Sequence, residues 1–88
     1  MDYKAIAQEI IKNVGGAENI TDVSHCFTRL RFVLKDNRLA NKDVIEKIEG
    51  VIQVIIFGGQ FQIVLGSIVN KIYDEILSFV HPVGGNGI

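Results

Sequence analysis

The stretch Thr28-Arg29-Leu30-Arg31-Phe32-Val33-Leu34-Lys35 decides the fold class of this chain. Its even-numbered positions are mainly apolar, whereas its odd-numbered positions are mainly cationic. An alternation with period two is typical of a β-strand that buries one face. The pattern therefore predicts a strand over residues 28–35, in which Arg29 and Arg31 lie on the side away from the core.

A second pair of strands is predicted further along the chain. Residues 51–57 are apolar and rich in β-branched side chains, which predicts a strand with both faces largely covered. Gly58-Gly59 is a hairpin signal, and residues 60–65 return with Phe61, Ile63 and Leu65 on one face. Residues 19–24 alternate poorly but still suit a short strand, so residues 25–27 are expected at the end of a first hairpin.

Helices are predicted before, between and after the two hairpins. The first spans about residues 2–14, with Asp2 as its N-cap and Gly15-Gly16 as its stop. The second spans about residues 42–49 with Asn41 as a cap, and its inward residues are Val44, Ile45 and Ile48. The third follows a cap at Ser67, and its apolar stripe is Ile68, Val69, Ile72, Tyr73, Ile76 and Phe79.

The order α-β-β-α-β-β-α predicts an α+β fold. Hairpins interleaved with helices favour an open-faced sandwich, in which three helices cover one face of a four-stranded antiparallel sheet. Residues 1–80 are expected to form this domain. Residues 81–88 contain Pro82 and three glycines without periodicity, which predicts a flexible linker to a further domain.

Composition excludes several classes of protein. The 88-residue chain has a net charge of −1, which argues against a nucleic-acid binder. Its longest apolar runs fall far short of the ~20 residues that span a bilayer, and no signal peptide opens the chain. A single cysteine cannot form an internal disulfide, and no metal-ligand spacing is present. We therefore expect a cytoplasmic domain, monomeric in isolation, that needs no metal or cofactor.

Cys26 is that single cysteine, in the run His25-Cys26-Phe27-Thr28-Arg29-Leu30-Arg31. A thiol attacks as its thiolate, and nearby positive charge lowers its pKa from about 8.5. Arginines can also hold a dianionic phosphate through charge-assisted hydrogen bonds. The cluster therefore predicts phosphoryl chemistry with Cys26 as nucleophile beside Arg29 and Arg31.

Each of these residues also has a plainer interpretation. Lone cysteines are more often small buried hydrophobes, although a hairpin end beside two outward arginines favours reactivity. Thr28 either donates its hydroxyl to a phosphate or is simply a β-branched strand residue. His25 neighbours Cys26 along an extended chain, where adjacent side chains point to opposite faces. A tuning or structural role is therefore favoured for His25 over direct proton transfer.

Two other functions are alternatives to phosphoryl transfer through Cys26. Cysteine-dependent phosphatases place an arginine after five intervening residues, but here that position is Phe32 and no glycine lies between Cys26 and Phe32. The phosphatase hypothesis is therefore disfavoured. A non-catalytic ligand-binding or regulatory module stays open, because a fold alone does not determine function.

The run His25-Cys26-Phe27-Thr28-Arg29-Leu30-Arg31 closely resembles a phosphorylation site in a known family. That family is the enzyme IIB domains of the bacterial phosphoenolpyruvate-dependent sugar phosphotransferase system, in the glucose/β-glucoside/sucrose superfamily. Gly15-Gly16 with Asn19-Ile20 precedes it at the family's spacing, and Gly58 to Gly66 resembles the second hairpin of the β-glucoside branch. The resemblance covers about residues 3–78. One departure is Phe27, where members often carry a small residue.

The resemblance implies a specific role for the chain in bacterial sugar transport. Cys26 would accept a phosphoryl group from a phosphohistidine of enzyme IIA and pass it, as phosphocysteine, to a sugar held by the membrane IIC domain. Arg29 and Arg31 would assist the onward transfer, and Thr28 with backbone amides would steady the phosphate. The chain would be an N-terminal, cytoplasmic IIB domain, tethered to the membrane through the full-length transporter. Candidates to border the partner surface are Ile52, Ile55, Phe57, Gln60 and Gln62.

Overall fold

The computed structural model describes residues 1–80, so the predicted linker at residues 81–88 lies outside the described residues. Seven main elements follow one another in the predicted order. They are α1 (Tyr3–Asn13), β1 (Ile20–His25), β2 (Arg29–Leu34), α2 (Lys42–Ile45), β3 (Gln53–Phe57), β4 (Gln60–Val64) and α3 (Val69–Phe79). None of the helices in residues 1–80 combines the length and the apolar character that crossing a bilayer requires.

The four strands form one antiparallel sheet in the order β1-β2-β4-β3. This confirms the predicted α+β open-faced sandwich. The face against the helices carries the largest fully buried side chains of the sheet: Leu30, Phe32, Phe61 and Ile63. The opposite face carries Arg29, Arg31 and Gln62, and is called the arginine face below. The prediction that both arginines lie away from the core is therefore confirmed.

A β-bulge in β1 explains why its sequence alternates poorly. The pairing with β2 shifts between Ile20 and Asp22, so Thr21 is an extra residue on the β1 side. Ile20 and Val23 are both buried although they are three positions apart. A bulge cannot be recognised from period two, because it interrupts that period.

Three predictions about the second half of the chain are wrong, and the first concerns the length of α2. Helix α2 ends at Ile45, and tighter i+3 hydrogen bonds replace its predicted last turn, from Lys47 N–H to Val44 O (3.1 Å) and from Ile48 N–H to Ile45 O (3.0 Å). Three β-branched residues disfavour a longer helix, and Val44 is exposed. Its N-cap is Asn41, as predicted, whose Oδ1 accepts from Val44 N–H at 3.4 Å.

The prediction that residues 51–57 are covered on both faces is also wrong. β3 is an edge strand that pairs only with β4. Phe57 is 73% exposed, and Ile52 and Ile56 are also exposed. An apolar run indicates a strand, but the sequence does not state how many neighbours that strand has.

Ser67 does not cap α3. Residues Gly66–Ile68 form a short 3-10 turn, and Ile68 occupies the cap position without a side-chain hydrogen bond. The N–H groups of Leu65 and Gly66 both donate to the carbonyl of Thr28, so this junction is fixed to the end of the first hairpin. Most of the predicted stripe is buried or partly buried, except that Phe79 is exposed and Val80 is buried instead.

Asn19 connects the first helix to the sheet. Its side chain is 3% exposed, and its Nδ2 donates to Val14 O (2.7 Å) and to Asp36 O (2.9 Å). Its Oδ1 accepts from Asp36 N–H at 3.0 Å. Gly15 has a φ of +105°, and a Cβ there would lie 2.8 Å from Asn19 Nδ2. The end of α1 is therefore joined to the loop after β2 through one amide.

We expect Asn19→Ala to destabilise the domain by about 2–4 kcal/mol, because it leaves buried backbone groups of Val14 and Asp36 without partners. Urea denaturation followed by circular dichroism measures the change. Asn37→Ala, at an exposed position, is the matched control and should change the free energy of unfolding by less than about 0.5 kcal/mol. Equal effects of the two substitutions would contradict the role of Asn19.

Candidate functional site

Cys26 lies in the three-residue connection between β1 and β2. Its N–H donates to Arg29 O at 3.0 Å, which closes the end of the hairpin. The thiol is free and partly exposed. It lines an open cavity of about 680 Å³, and the other lining residues are His25, Phe27, Ser67, Val69 and Asn70. The alternative of a fully buried cysteine is therefore excluded.

The backbone at the hairpin end lowers the pKa of the Cys26 thiol. The largest cause is a hydrogen bond from the backbone N–H of Thr28; partial burial opposes it, and the N–H of Arg29 adds to it. The charges of Arg31 and then Arg29 lower the pKa further. The arginines contribute in the direction expected from the sequence, but less than the Thr28 amide. Converging backbone N–H groups form an anion site in many turns.

Arg29 is held by a glutamine on the neighbouring strand. Its Nη1 donates to Gln62 Oε1 at 3.0 Å, and Gln62 Nε2 donates to Gln60 Oε1 at 2.9 Å. Arg31 lies opposite Ser24 on one side and Gln62 on the other. Among residues 1–80, its buried Nε has no hydrogen-bond partner. Both guanidiniums therefore lie on the arginine face at the strand that leads out of the Cys26 turn.

The backbone N–H and the backbone carbonyl of Thr28 both make hydrogen bonds that shape the site. Its N–H is the group that most lowers the pKa of Cys26. Its carbonyl accepts from Leu65 N–H (2.8 Å) and Gly66 N–H (3.0 Å). The residue is exposed, so its hydroxyl is accessible from solvent.

His25 contacts the backbone of the turn. Its Nδ1 lies 2.9 Å from the carbonyl oxygen of Cys26. Because a carbonyl only accepts, Nδ1 carries the proton in this hydrogen bond. The ring also packs against Tyr73, with centroids 4.5 Å apart at an angle of 54°. These contacts suit a residue that orients the Cys26 peptide.

Three residues of α3 lie near Cys26, although nothing in the sequence predicts a functional role for them. Val69, Tyr73 and Asn70 reach the site from α3, and only the tertiary fold brings this helix beside the hairpin. Gln60 and Gln62 were among the candidates for the partner surface, and their period-two spacing was the available signal. Phe57 lies beside the Gly58-Gly59 turn, at the end of β3 away from the Cys26 hairpin. Residues 1–80 contain no group of three or more His, Cys, Asp or Glu side chains that could hold a metal.

Comparison with known proteins identifies the family. The family model described as phosphotransferase system, EIIB matches residues 8–41. A crystal structure of one domain of a PTS system IIabc component from Clostridium difficile superposes with a TM-score of 0.86 at 42% identity. The match covers 91% of this chain and 84% of that one. The chain belongs to the EIIB family of the phosphotransferase system.

Curated relatives are much longer proteins. The β-glucoside-specific EIIBCA component of Dickeya chrysanthemi is 50% identical over 78 residues, and that of Halalkalibacterium halodurans is 46% identical over 77. These matches cover 89% and 88% of this chain but 12% of each relative. The sucrose-specific EIIBC component of Pasteurella multocida is 47% identical, over 86% of this chain and 16% of the relative. The chain thus spans a small part of the length of these relatives.

We expect the pH profile of Cys26 alkylation to be displaced to low pH. Because the folded-state pKa is lowered, the thiolate persists to a lower pH than in the unfolded chain. The rate of reaction with iodoacetamide should fall only as the pH drops below that folded-state pKa. Rates measured across pH for the native and the urea-unfolded chain give the two midpoints. A native midpoint at or above the unfolded one would refute the activation of Cys26.

Proposed function

We propose that the chain is a phosphoryl carrier in sugar uptake, with Cys26 as the group that is phosphorylated. The observation that carries the proposal is the accessible Cys26 sulfur at a hairpin end, where backbone N–H groups and two arginines favour its anionic form. Membership of the EIIB family supports it.

The first step is transfer from a phosphohistidine of enzyme IIA. The Cys26 thiolate attacks phosphorus, an S–P bond forms, and the electrons of the P–N bond return to the imidazole of the donor. The lowered pKa helps here, because the attacking sulfur has already lost its proton. The product is S-phosphocysteine.

The second step passes the phosphoryl group to a sugar held by the membrane IIC domain. A sugar hydroxyl attacks phosphorus, the S–P bond breaks, and the thiolate of Cys26 leaves with the bonding electrons. The hydroxyl proton goes to a base on the acceptor side or to water. Phosphoryl transfer asks a protein chiefly for positioning and charge compensation. The guanidiniums of Arg29 and Arg31, the backbone N–H of Thr28 and its hydroxyl are the groups that we assign to this task.

The same arrangement protects the intermediate from water. A carrier must keep its phosphoryl group until the acceptor arrives, so a base that activates water beside the sulfur would be harmful. His25 is the nearest candidate along the chain, but its Nδ1 bonds the Cys26 carbonyl and its ring packs on Tyr73. We therefore assign His25 a positioning role.

The partners follow from the proposed steps. Enzyme IIA is the donor, and a IIC domain with its bound sugar is the acceptor. The relatives named as β-glucoside-specific and sucrose-specific favour a glucoside as the transported sugar, with the β-glucoside branch first. We place the domain in the cytoplasm, tethered to the inner face of the membrane through the full-length transporter, and expect the isolated domain to be monomeric.

Phosphorylation of Cys26 is directly measurable. Incubation with phosphoenolpyruvate and the upstream carriers, including enzyme IIA, should add the mass of one phosphoryl group, because the activated thiolate is accessible. Cys26→Ser should abolish the gain and keep the circular dichroism of the fold, whereas Asn37→Ala should keep the gain. No gain in the unchanged chain, or a gain that survives Cys26→Ser, would refute the proposal.

The arginines are tested by charge removal at matched positions. Arg29→Gln and Arg31→Gln should each slow phosphoryl transfer from Cys26 by about 10²-fold, the usual cost of losing one positioned donor to a charged transition state. Lys35→Gln removes an exposed charge just beyond the same strand, and is expected to change the rate by less than about twofold. Membranes that contain the IIC domain, with a β-glucoside, serve as acceptor. Equal losses in all three variants would show that only net charge matters.

A further inference from the structure

Gln62 is a buried polar residue on the face of the sheet that carries the arginines. Its side chain is 4% exposed, and in residues 1–80 only Asn19 shares this combination of polarity and burial. Asn19 bonds three backbone groups, whereas both ends of the Gln62 amide bond other side chains. Burying a polar group costs free energy unless it is hydrogen-bonded. The hydrogen bonds to Arg29 and Gln60 therefore stabilise the buried amide of Gln62.

Gln60 and Arg29 bond opposite ends of that amide. Gln62 Nε2 donates to Gln60 Oε1 at 2.9 Å, which leaves Gln62 Oε1 toward Arg29 Nη1 at 3.0 Å. A reversed amide would place an NH₂ group against a guanidinium, and two donors cannot bond each other. The pair Gln60–Gln62 therefore fixes the orientation of Arg29 from the side.

Gln62 holds Arg29 without cancelling its charge. The contrast within the same chain is Arg38, whose Nε and Nη2 both bond the carboxylate of Asp36, at 3.0 Å and 3.1 Å. That carboxylate neutralises the guanidinium, whereas the amide oxygen of Gln62 is neutral and engages one of five N–H groups of Arg29. The positive charge and the other N–H groups of Arg29 stay available for an anion.

The register shows that this contact is selective. Arg31, not Arg29, lies directly opposite Gln62 in the pairing of β2 with β4. Gln62 nevertheless bonds the diagonal neighbour Arg29, which is two residues closer to Cys26. Diagonal pairs across antiparallel strands are within reach of long side chains.

We propose that Gln62 is a positioning residue for phosphoryl transfer, which holds the guanidinium of Arg29 on the arginine face as an oriented and uncompensated cation. The inference rests on the proposed function, since it gives Arg29 an anion to meet. Gln60 assists by fixing the Gln62 amide. A carboxylate at position 62 would hold the guanidinium equally well and cancel its charge.

Two substitutions of Gln62 distinguish the orientation of the Arg29 guanidinium from its uncompensated charge. Gln62→Met keeps the size of the side chain and removes the hydrogen bond, so Arg29 loses its orientation. Gln62→Glu keeps an acceptor for Arg29 and adds a negative charge. Both should slow phosphoryl transfer from Cys26 to the sugar by about 10- to 100-fold at saturating sugar, with KM little changed, because misplacing a reacting group by about 1 Å costs on that order. Gln53→Met, at an exposed position on β3, is the matched control and should keep the wild-type rate.

A second pair of measurements distinguishes positioning from mere stabilisation. In Gln62→Met the guanidinium resonances of Arg29 should average in ¹H–¹⁵N spectra, since nothing slows rotation at Nη1. In Gln62→Glu those resonances should stay distinct, while the pH midpoint of Cys26 alkylation rises toward that of the unfolded chain. Gln60→Met should cause a smaller loss of rate than Gln62→Met, and the double substitution should equal Gln62→Met alone, because Gln60 acts through Gln62.

The outcomes separate the two proposals. If the unchanged chain passes its phosphoryl group to the sugar and both Gln62 variants do so at the wild-type rate, the positioning role is overturned and the carrier function stands. A loss of unfolding free energy without a loss of rate in the folded variants would also overturn it, since Gln62 would then be structural only. If the unchanged chain takes up no phosphate, the carrier function fails, and the role of Gln62 in transfer fails with it.

Discussion

The peptide groups on either side of Thr28 are the constraint on which the site depends. The N–H of Thr28 lies against the Cys26 sulfur, and its carbonyl accepts from both Leu65 and Gly66. One residue therefore joins Cys26 to the junction between β4 and α3. This junction directs α3 so that Val69 and Asn70 line the cavity beside the sulfur and Tyr73 supports His25. A side chain alone would not do this, because main-chain groups in a closed hairpin are far less mobile than a long cation.

Two kinds of positive group stabilise the Cys26 thiolate. Backbone N–H groups stabilise the thiolate at short range, and the guanidiniums of Arg31 and Arg29 add a weaker field. This order suits a carrier, whose sulfur must be anionic before the donor arrives and must bear a dianion afterwards. The neutral acceptor on Arg29 fits the same requirement, since a carboxylate there would compete with phosphate. Under the proposed function the arginines are thus left for the phosphoryl group, while the thiolate is stabilised mainly by main-chain N–H groups.

Local sequence patterns predicted much of the fold. They failed mainly where contacts between elements determine the structure. Period two over residues 28–35 was sufficient to place Arg29 and Arg31 opposite the core, because a side chain's face on a strand depends only on parity. The predicted last turn of α2 was wrong because β-branched residues and local i+3 hydrogen bonds end the helix at Ile45. The predicted cap of α3 was wrong because Leu65 and Gly66 bond the distant carbonyl of Thr28. The edge position of β3 and the bulge in β1 were equally out of reach, because each is a property of pairing between strands.

The amino-acid sequence by itself determined the class of fold, the position of the single cysteine and the presence of two cations two residues apart close after it. These features reside in composition and in spacings of a few residues, which the covalent chain sets. Only the tertiary structure decided which group lowers the pKa of Cys26 most, which residues of α3 approach the sulfur, and that a glutamine 33 positions away from Arg29 bonds it. Such contacts depend on register and on strand order, and these are settled when two hairpins pack side by side under the helices.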